Sequence, residues 1–186
     1  FRRVLFRSRS EFLFLGRDTL PSEDEQFEAY RTVAAGMNGL PVTIRTMDLG
    51  ADKNPKWSIH GVSDNPVLGL CGMRLCLAEP LLFRSQLRAL LRASHEGKVR
   101  ILFPMINGVT DLKQALAQLD LAKAELHVEN IPFDEKIEVG AMIEIPSAAL
   151  VISTLARYVD FFAVGTNDLI QYTLAIDRND DAVSHL

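Results

Sequence analysis

A chain of 186 residues, 48% hydrophobic and 24% charged, has the length of one ordinary domain and a globular composition, which excludes disorder along its whole length. Its formal net charge of −4 offers no basic field to a nucleic acid or an anionic membrane, so neither is expected as a partner. No apolar run approaches the ~18 residues of a membrane span, and the two cysteines, Cys71 and Cys76, lack the His or Cys neighbours that a zinc site needs, so a reducing, cytoplasmic compartment is expected.

The first eight residues, 1–8, carry three arginines in an otherwise acidic chain. They read as a tail outside the fold, with a basic strand or arm as the other reading. A helix is predicted over 21–35: Ser22 and Glu25 have capping-box spacing, Pro21 suits the first turn, and Glu23, Asp24 and Glu25 favour the positive end of the helix dipole. Residues 41–47, β-branched and short, read as a strand. The polar stretch 48–65, with Gly50, Pro55 and Gly61, reads as loop. A helix with alternating apolar and Arg positions follows over 81–93, then a strand over 99–105. The segment 110–126 places Leu112, Leu116, Leu119 and Leu126 on one helical face, with Thr110 or Asp111 as its cap. A third strand is predicted over 137–144, a helix from Pro146 to about residue 158, and a fourth strand over 161–165. Asn167-Asp168-Leu169-Ile170-Gln171 opens the next helix or loop.

These inner strands are apolar nearly throughout, which suits a parallel sheet covered on both faces. Strands alternating with helices mean an α/β fold, either an open doubly wound sheet or a TIM barrel. No G-x-G-x-x-G or G-x-x-x-x-G-K-[ST] follows any strand, which weighs against a nucleotide-binding open sheet.

The polar residues fall at strand ends. Arg45 and Asp48 close the run at 41–44, Glu144 closes 139–143, and Asn167 and Asp168 follow 161–165. In a barrel, the carboxyl ends of the strands build the active site, and a charge closing an apolar run is otherwise a costly choice beside a core. Glu144 and Asp168 stand on successive strands, which lie about 4.8 Å apart when adjacent and parallel. They can converge on one hard cation such as Mg²⁺, which takes one or two protein carboxylates; the alternatives are solvated loop acids, or Asp168 as a helix cap. Arg9, Arg45 and Arg178 bring planar charged forks suited to phosphate or carboxylate oxygens. The competing reading for Arg45 is a surface salt bridge with Asp48 or Glu11. Together the set suits an anionic ligand held by metal and arginines, the layout that binds a phosphorylated carboxylic acid and stabilises phosphoryl transfer. His60, His95, His127 and His185 show no metal-ligand pattern, and Cys71 and Cys76 read as small buried hydrophobes.

The run Asp160-Phe161-Phe162-Ala163-Val164-Gly165-Thr166-Asn167-Asp168-Leu169-Ile170-Gln171-Tyr172-Thr173-Leu174-Ala175 resembles the signature of the phosphoenolpyruvate-utilising enzymes. Arg9-Ser10-Glu11-Phe12-Leu13-Phe14 is similar to that family's R-[ST]-E-F-L-F segment. Arg45-Thr46-Met47-Asp48-Leu49-Gly50-Ala51-Asp52-Lys53 resembles its R-T-x-D-x-G-[GA]-D-K segment in the Enzyme I branch, and Met142-Ile143-Glu144-Ile145-Pro146 also matches. The likeness runs from Arg9 to Leu186. It implies an α/β fold that is a partial (β/α)₈ TIM barrel, about strands 2 to 6, occupying residues 9–186.

The implied roles follow the motifs. Arg9, Arg45 and Arg178 hold phosphate oxygens, Asn167 and Asp168 contact phosphoenolpyruvate, and Glu144 and Asp168 ligate Mg²⁺. The implied activity is phosphoryl transfer from phosphoenolpyruvate to a protein histidine, then to the carrier HPr, with release of pyruvate, in the bacterial sugar phosphotransferase system. The histidine belongs to an N-terminal domain and the proton-donating cysteine to a later segment, so no catalytic residue is expected in this chain, and the intact protein is expected as a homodimer. Alternatives are a phosphoenolpyruvate synthase or pyruvate phosphate dikinase relative, or a non-catalytic sensing or dimerisation module. One departure stands out: Asn65-Pro66-Val67-Leu68-Gly69-Leu70-Cys71-Gly72-Met73-Arg74 carries Cys71 where the family has Arg.

Overall fold

A computed structural model describes residues 6–49, 65, 67–178 and 180–183, with side chains from residue 10 onward. Five strands form one sheet: β1 (Phe6–Arg9), β2 (Val42–Arg45), β3 (Val99–Phe103), β4 (Glu138–Ile143) and β5 (Phe161–Val164). All pairings are parallel and the spatial order is β1-β2-β3-β4-β5. That order decides between the two expected architectures. A doubly wound sheet reverses direction at a switch point; here every crossover steps the same way, and right-handed crossovers then place all connecting helices on one face. This is barrel winding, and the fold is a partial (β/α) barrel.

The winding gives the two faces of the sheet different surroundings. Val42 and Ile44, Val99, Ile101 and Phe103, and Val139, Ala141 and Ile143 all join the core shared with the helices. Their alternates, Thr43, Arg45, Arg100, Leu102, Gly140 and Met142, point the other way, into the barrel interior. Leu102 and Met142 are buried yet lie outside the helix-facing core. The strands are therefore two-faced, and their inner face carries the polar residues.

The helices are α1 (Glu23–Gly36), α2 (Met73–Ala78), α3 (Pro80–Glu96), α4 (Val109–Val128), α5 (Pro146–Leu150), α6 (Ile152–Leu155) and α7 (Thr166–Leu174). The expected capping box is present on α1: Ser22 Oγ accepts from the Glu25 amide at 3.2 Å and Glu25 Oε2 accepts from the Ser22 amide at 2.8 Å. Pro21 stands one residue before that cap. On α3, Arg84, Arg88 and Arg92 share one face at four-residue spacing. They bridge Glu23 and Asp24 of α1 to Glu125 of α4 and to Glu129 just past its end. Gln86, on another face of α3, is buried. It donates to Ser10 Oγ and Tyr30 Oη and accepts from the Met47 amide at 2.9 Å, which pins the chain just beyond β2.

Four local expectations change. Residues 6–8, expected in a tail outside the fold, stand in β1 and pair with Val42, Thr43 and Ile44; residues 1–5 lie outside the described part, as do 50–64 of the expected loop. The helix expected from Pro146 to about 158 is broken at Val151, whose amide bonds back only three residues to Ala148, where the β-branched pair Val151-Ile152 weakens helix continuity. Helix α4 is capped by neither Thr110 nor Asp111 but begins after Gly108 without a side-chain cap. The short helix α2 was not anticipated; it buries Cys76 fully, and Cys71 just before it is also buried, both as free thiols.

Candidate active site at the carboxyl ends of the strands

Each strand delivers one polar group to the same end of the sheet. Glu11 lies in the 3-10 turn Glu11–Leu13 just beyond β1, and Arg45 is the last residue of β2. Met105 stands two residues past β3, while Glu144 and Gly165 directly follow β4 and β5. Asp168 sits in the first turn of α7, whose N-cap is Gly165, so Asp168 is not itself the cap.

Arg45 is 8% exposed. Its Nη2 donates to Glu11 Oε1, its Nη1 lies 2.8 Å from Asp48 Oδ2, and the same nitrogen approaches Met142 Sδ at 3.9 Å. Both partners anticipated for a surface salt bridge are engaged, but the pair is buried. Burial works against its charge, yet Asp48, Glu11 and Glu144 outweigh it and hold the guanidinium above its ordinary pKa. Arg45 Nε and Glu11 Oε2 are buried with no hydrogen-bond partner among the described residues.

Glu144 is fully buried. Its Oε1 accepts from the Met105 amide at 2.6 Å, and its Oε2 is buried with no hydrogen-bond partner among the described residues. Burial pushes its carboxyl up to about 7; the Met105 amide opposes this, while the charges of Asp48 and Asp168 add to it. The charges of Asp48, Asp168 and Arg45 thus all act on this one carboxyl. Two glycines make room for it. A Cβ on Gly165 would stand 2.5 Å from Glu144 Oε2, and a Cβ on Gly72, at φ +51°, would stand 2.5 Å from Met105 Cγ and 2.9 Å from Asp48 Oδ1.

On the far side, Asp168 Oδ1 pairs with Arg178 Nη1 at 3.1 Å, and the Arg178 amide donates to Gln171 Oε1 at 3.1 Å. Arg178 is exposed and Asn167 lies exposed beside Asp168. Arg9 ends β1 opposite Arg45 in register, but its side chain lies outside the described residues. The fold thus brings Arg45, Glu144, Asp168 and Arg178 to one face, with Asn167 at its edge. Asp52 and Lys53 fall outside the described residues.

The expected Mg²⁺ can be tested against the donor set. Among the described residues no three His, Cys, Asp or Glu side chains converge as a metal cluster. A magnesium ion does not need one: one or two carboxylates suffice when substrate and water fill the octahedron. The buried Glu144 Oε2, without a hydrogen-bond partner among the described residues and on a carboxyl that feels the Asp168 charge, fits such an ion, because an unsatisfied buried carboxylate oxygen is costly until a cation or donor meets it.

Sequence reasoning placed Glu11 only as a salt-bridge partner and missed Gly72, Met105 and Gly165. Gly165 was legible as the glycine between an apolar strand and the Asn-Asp pair. Met105 acts through its backbone, which leaves no side-chain signature. A cavity of about 390 Å³ among the described residues opens elsewhere, at the amino ends of β2, β3 and β4, lined by Pro41, Lys98, Arg100, Asp134, Lys136 and Glu138. It is remote from the groups just described.

The family described as PEP-utilising enzyme, PEP-binding domain, matches residues 5–186. The phosphoenolpyruvate-protein phosphotransferase of Priestia megaterium is 51% identical over 178 residues, covering 96% of this chain and 31% of its own length. Proteins of the same name from Cupriavidus necator and Bacillus subtilis are 53% and 51% identical, with the same coverage. The chain thus spans about a third of the length of the curated relatives it matches. Among solved structures, a citrate lyase from Burkholderia xenovorans superposes with a TM-score of 0.51 at 20% identity, covering 95% of this chain and 55% of that one. That likeness concerns the fold alone.

Proposed function

The chain belongs to the PEP-binding domain family of the PEP-utilising enzymes, and from that premise we propose that it holds phosphoenolpyruvate and Mg²⁺ within a phosphoenolpyruvate–protein phosphotransferase of the sugar phosphotransferase system. The observation that carries the proposal is a pair of complementary groups at one strand-end face that are unpartnered among the described residues: the buried Arg45 Nε donor and the buried Glu144 Oε2 acceptor. An anion satisfies the first and a cation the second. A phosphorylated carboxylic acid with its divalent ion supplies both.

In this reading Glu144 and Asp168 ligate Mg²⁺, which when bound draws negative charge from the carboxylate and phosphoryl oxygens. Arg45 presents its Nε–H to a phosphoryl oxygen while Glu11 and Asp48 keep its fork in place, so no reorganisation is needed as charge develops. With Asp168 holding the ion, Arg178, which pairs with that carboxylate at 3.1 Å, would be free to turn to the phosphoryl group with Arg9. Asn167 orients the ligand through its amide. The buried Met142 and Leu102 close the interior against water, which strengthens each contact. The bond from phosphorus to the enol oxygen breaks as a histidine nitrogen of an N-terminal domain takes the phosphoryl group. The enol oxygen leaves with the electron pair, and the resulting enolate of pyruvate is protonated later by a group outside this chain. From that histidine the phosphoryl group passes to HPr. The intact protein acts as a cytoplasmic homodimer.

Calorimetry tests the binding step. Phosphoenolpyruvate titrated into the chain with Mg²⁺ should give saturable heat that disappears with EDTA and in Glu144→Gln. Equal binding with and without the metal would contradict the reading.

A further inference from the structure

We propose that Asn107 is the positioning residue for Glu144, acting through the backbone of Met105. Its consequence for cation affinity rests on the reading above; the positioning itself does not. The Met105 amide is the hydrogen-bond donor to Glu144, at 2.6 Å on Oε1. The direction in which Oε2 faces therefore depends on where that amide stands. Met105 has φ +54°, a left-handed conformation that a residue with a Cβ adopts only when its surroundings impose it.

Asn107 is placed to impose it. Its amide and Nδ2 both donate to Asp111 Oδ2, at 3.2 and 2.7 Å. Its Oδ1 accepts from Arg74 Nη2 at 3.2 Å, and its carbonyl accepts from Ser147 Oγ at 2.8 Å. Every polar group of the residue is thus in use. Two links join this loop to the chain after β4: the Met105 amide bonds to residue 144 itself, and Ser147, in the first turn of α5, bonds back to residue 107. The loop after β3 is thus fastened at the carboxylate and again three residues beyond it. Arg74 extends the fastening, because its Nη1 also donates to the carbonyls of Leu68 and Gly69 at 2.8 and 3.1 Å. Gly72, whose missing side chain lets Met105 approach, belongs to that same segment. Groups that orient a ligating carboxylate typically change metal affinity 10–100-fold when removed.

The test uses Asn107→Ala and, as a milder change at an exposed position, Ser147→Ala. Two quantities are read: Mn²⁺ affinity by electron paramagnetic resonance, and exchange protection of the Met105 amide by NMR in the metal-free chain. The expected result is a fall in Mn²⁺ affinity of about 10–100-fold for Asn107→Ala and a smaller fall for Ser147→Ala. The Met105 amide should exchange at least about tenfold faster while core amides of β3 and β4 keep their protection. A Met105 amide that stays protected in both variants overturns the proposal. So does a uniform loss of protection across the core, which marks Asn107 as general loop support. If the parent chain takes up no Mn²⁺ but the Met105 amide responds as expected, positioning stands and the cation reading of the site fails.

Discussion

Gly165 passes against the Glu144 carboxylate so closely that a Cβ there would stand 2.5 Å from Oε2 and 2.8 Å from the Glu144 Cβ. The contact is between the chain just after β5 and the residue just after β4, so it follows from strand pairing and cannot relax by a rotamer change alone. Gly165→Ala should therefore push Glu144 off its position. Mn²⁺ affinity should fall by at least about tenfold, read by electron paramagnetic resonance. Gly108→Ala, where nothing among the described residues lies within 4 Å of the new Cβ, should leave it unchanged.

The buried Arg45–Glu11 pair makes a second prediction. Removing one member of a buried pair leaves the other charge uncompensated. Arg45→Met should cost about 3 kcal/mol of stability. Adding Glu11→Gln to the same chain should recover part of that loss, because the residual buried charge is gone. Denaturant unfolding of the two single variants and the double variant measures the coupling.

The pH dependence follows from Glu144. Burial and the Asp48 and Asp168 charges push its carboxyl up to about 7 from an ordinary 4.5, against the Met105 amide and Arg45. Between those values the folded chain keeps a proton that the unfolded chain has lost. The contribution of this group to stability is full below 4.5 and is lost as pH rises toward 7. Glu144→Gln, with nothing to ionise, should lack that decline. A cation must displace the same proton, so Mg²⁺ affinity should rise with pH and level off above about 7. Calorimetry in buffers of different ionisation enthalpy should find about one proton released near pH 6 and almost none near pH 8.

Stability elsewhere depends on the arginine ladder of α3. Arg88, 13% exposed at its side chain, binds Glu23 at 2.6 Å, Glu129 at 2.7 Å and Glu125 at 3.3 Å. It ties α1 and α4 to α3. Arg88→Met should cost about 1–2 kcal/mol, between an exposed pair and a buried one. Arg31→Met, which breaks an exposed pair with Glu28 within α1, should leave the melting temperature unchanged. Thermal unfolding of both variants checks the contrast.

Much of this architecture is legible in the chain because the signals are local. Ser22 and Glu25 announce their helix by spacing, and Glu144, Asn167 and Asp168 are conspicuous as polar residues closing apolar strands. What escaped is non-local. Val42 and Thr43 look alike as β-branched neighbours, and only the sequential strand order reveals that one faces helices and the other the barrel interior. The burial of Arg45 depends on Glu11, 34 residues away, and the role of Met105 lies in an amide that every residue but proline carries.

The account turns on a divalent cation and a phosphorylated enol meeting between Glu144 and Arg45. Its most direct test is ³¹P NMR of phosphoenolpyruvate with the chain and Mn²⁺. The prediction is strong paramagnetic relaxation of the phosphorus signal in the parent chain, lost in both Glu144→Gln and Arg45→Met. Relaxation that matches Mn²⁺ and phosphoenolpyruvate without the chain, or that survives both substitutions, would contradict it.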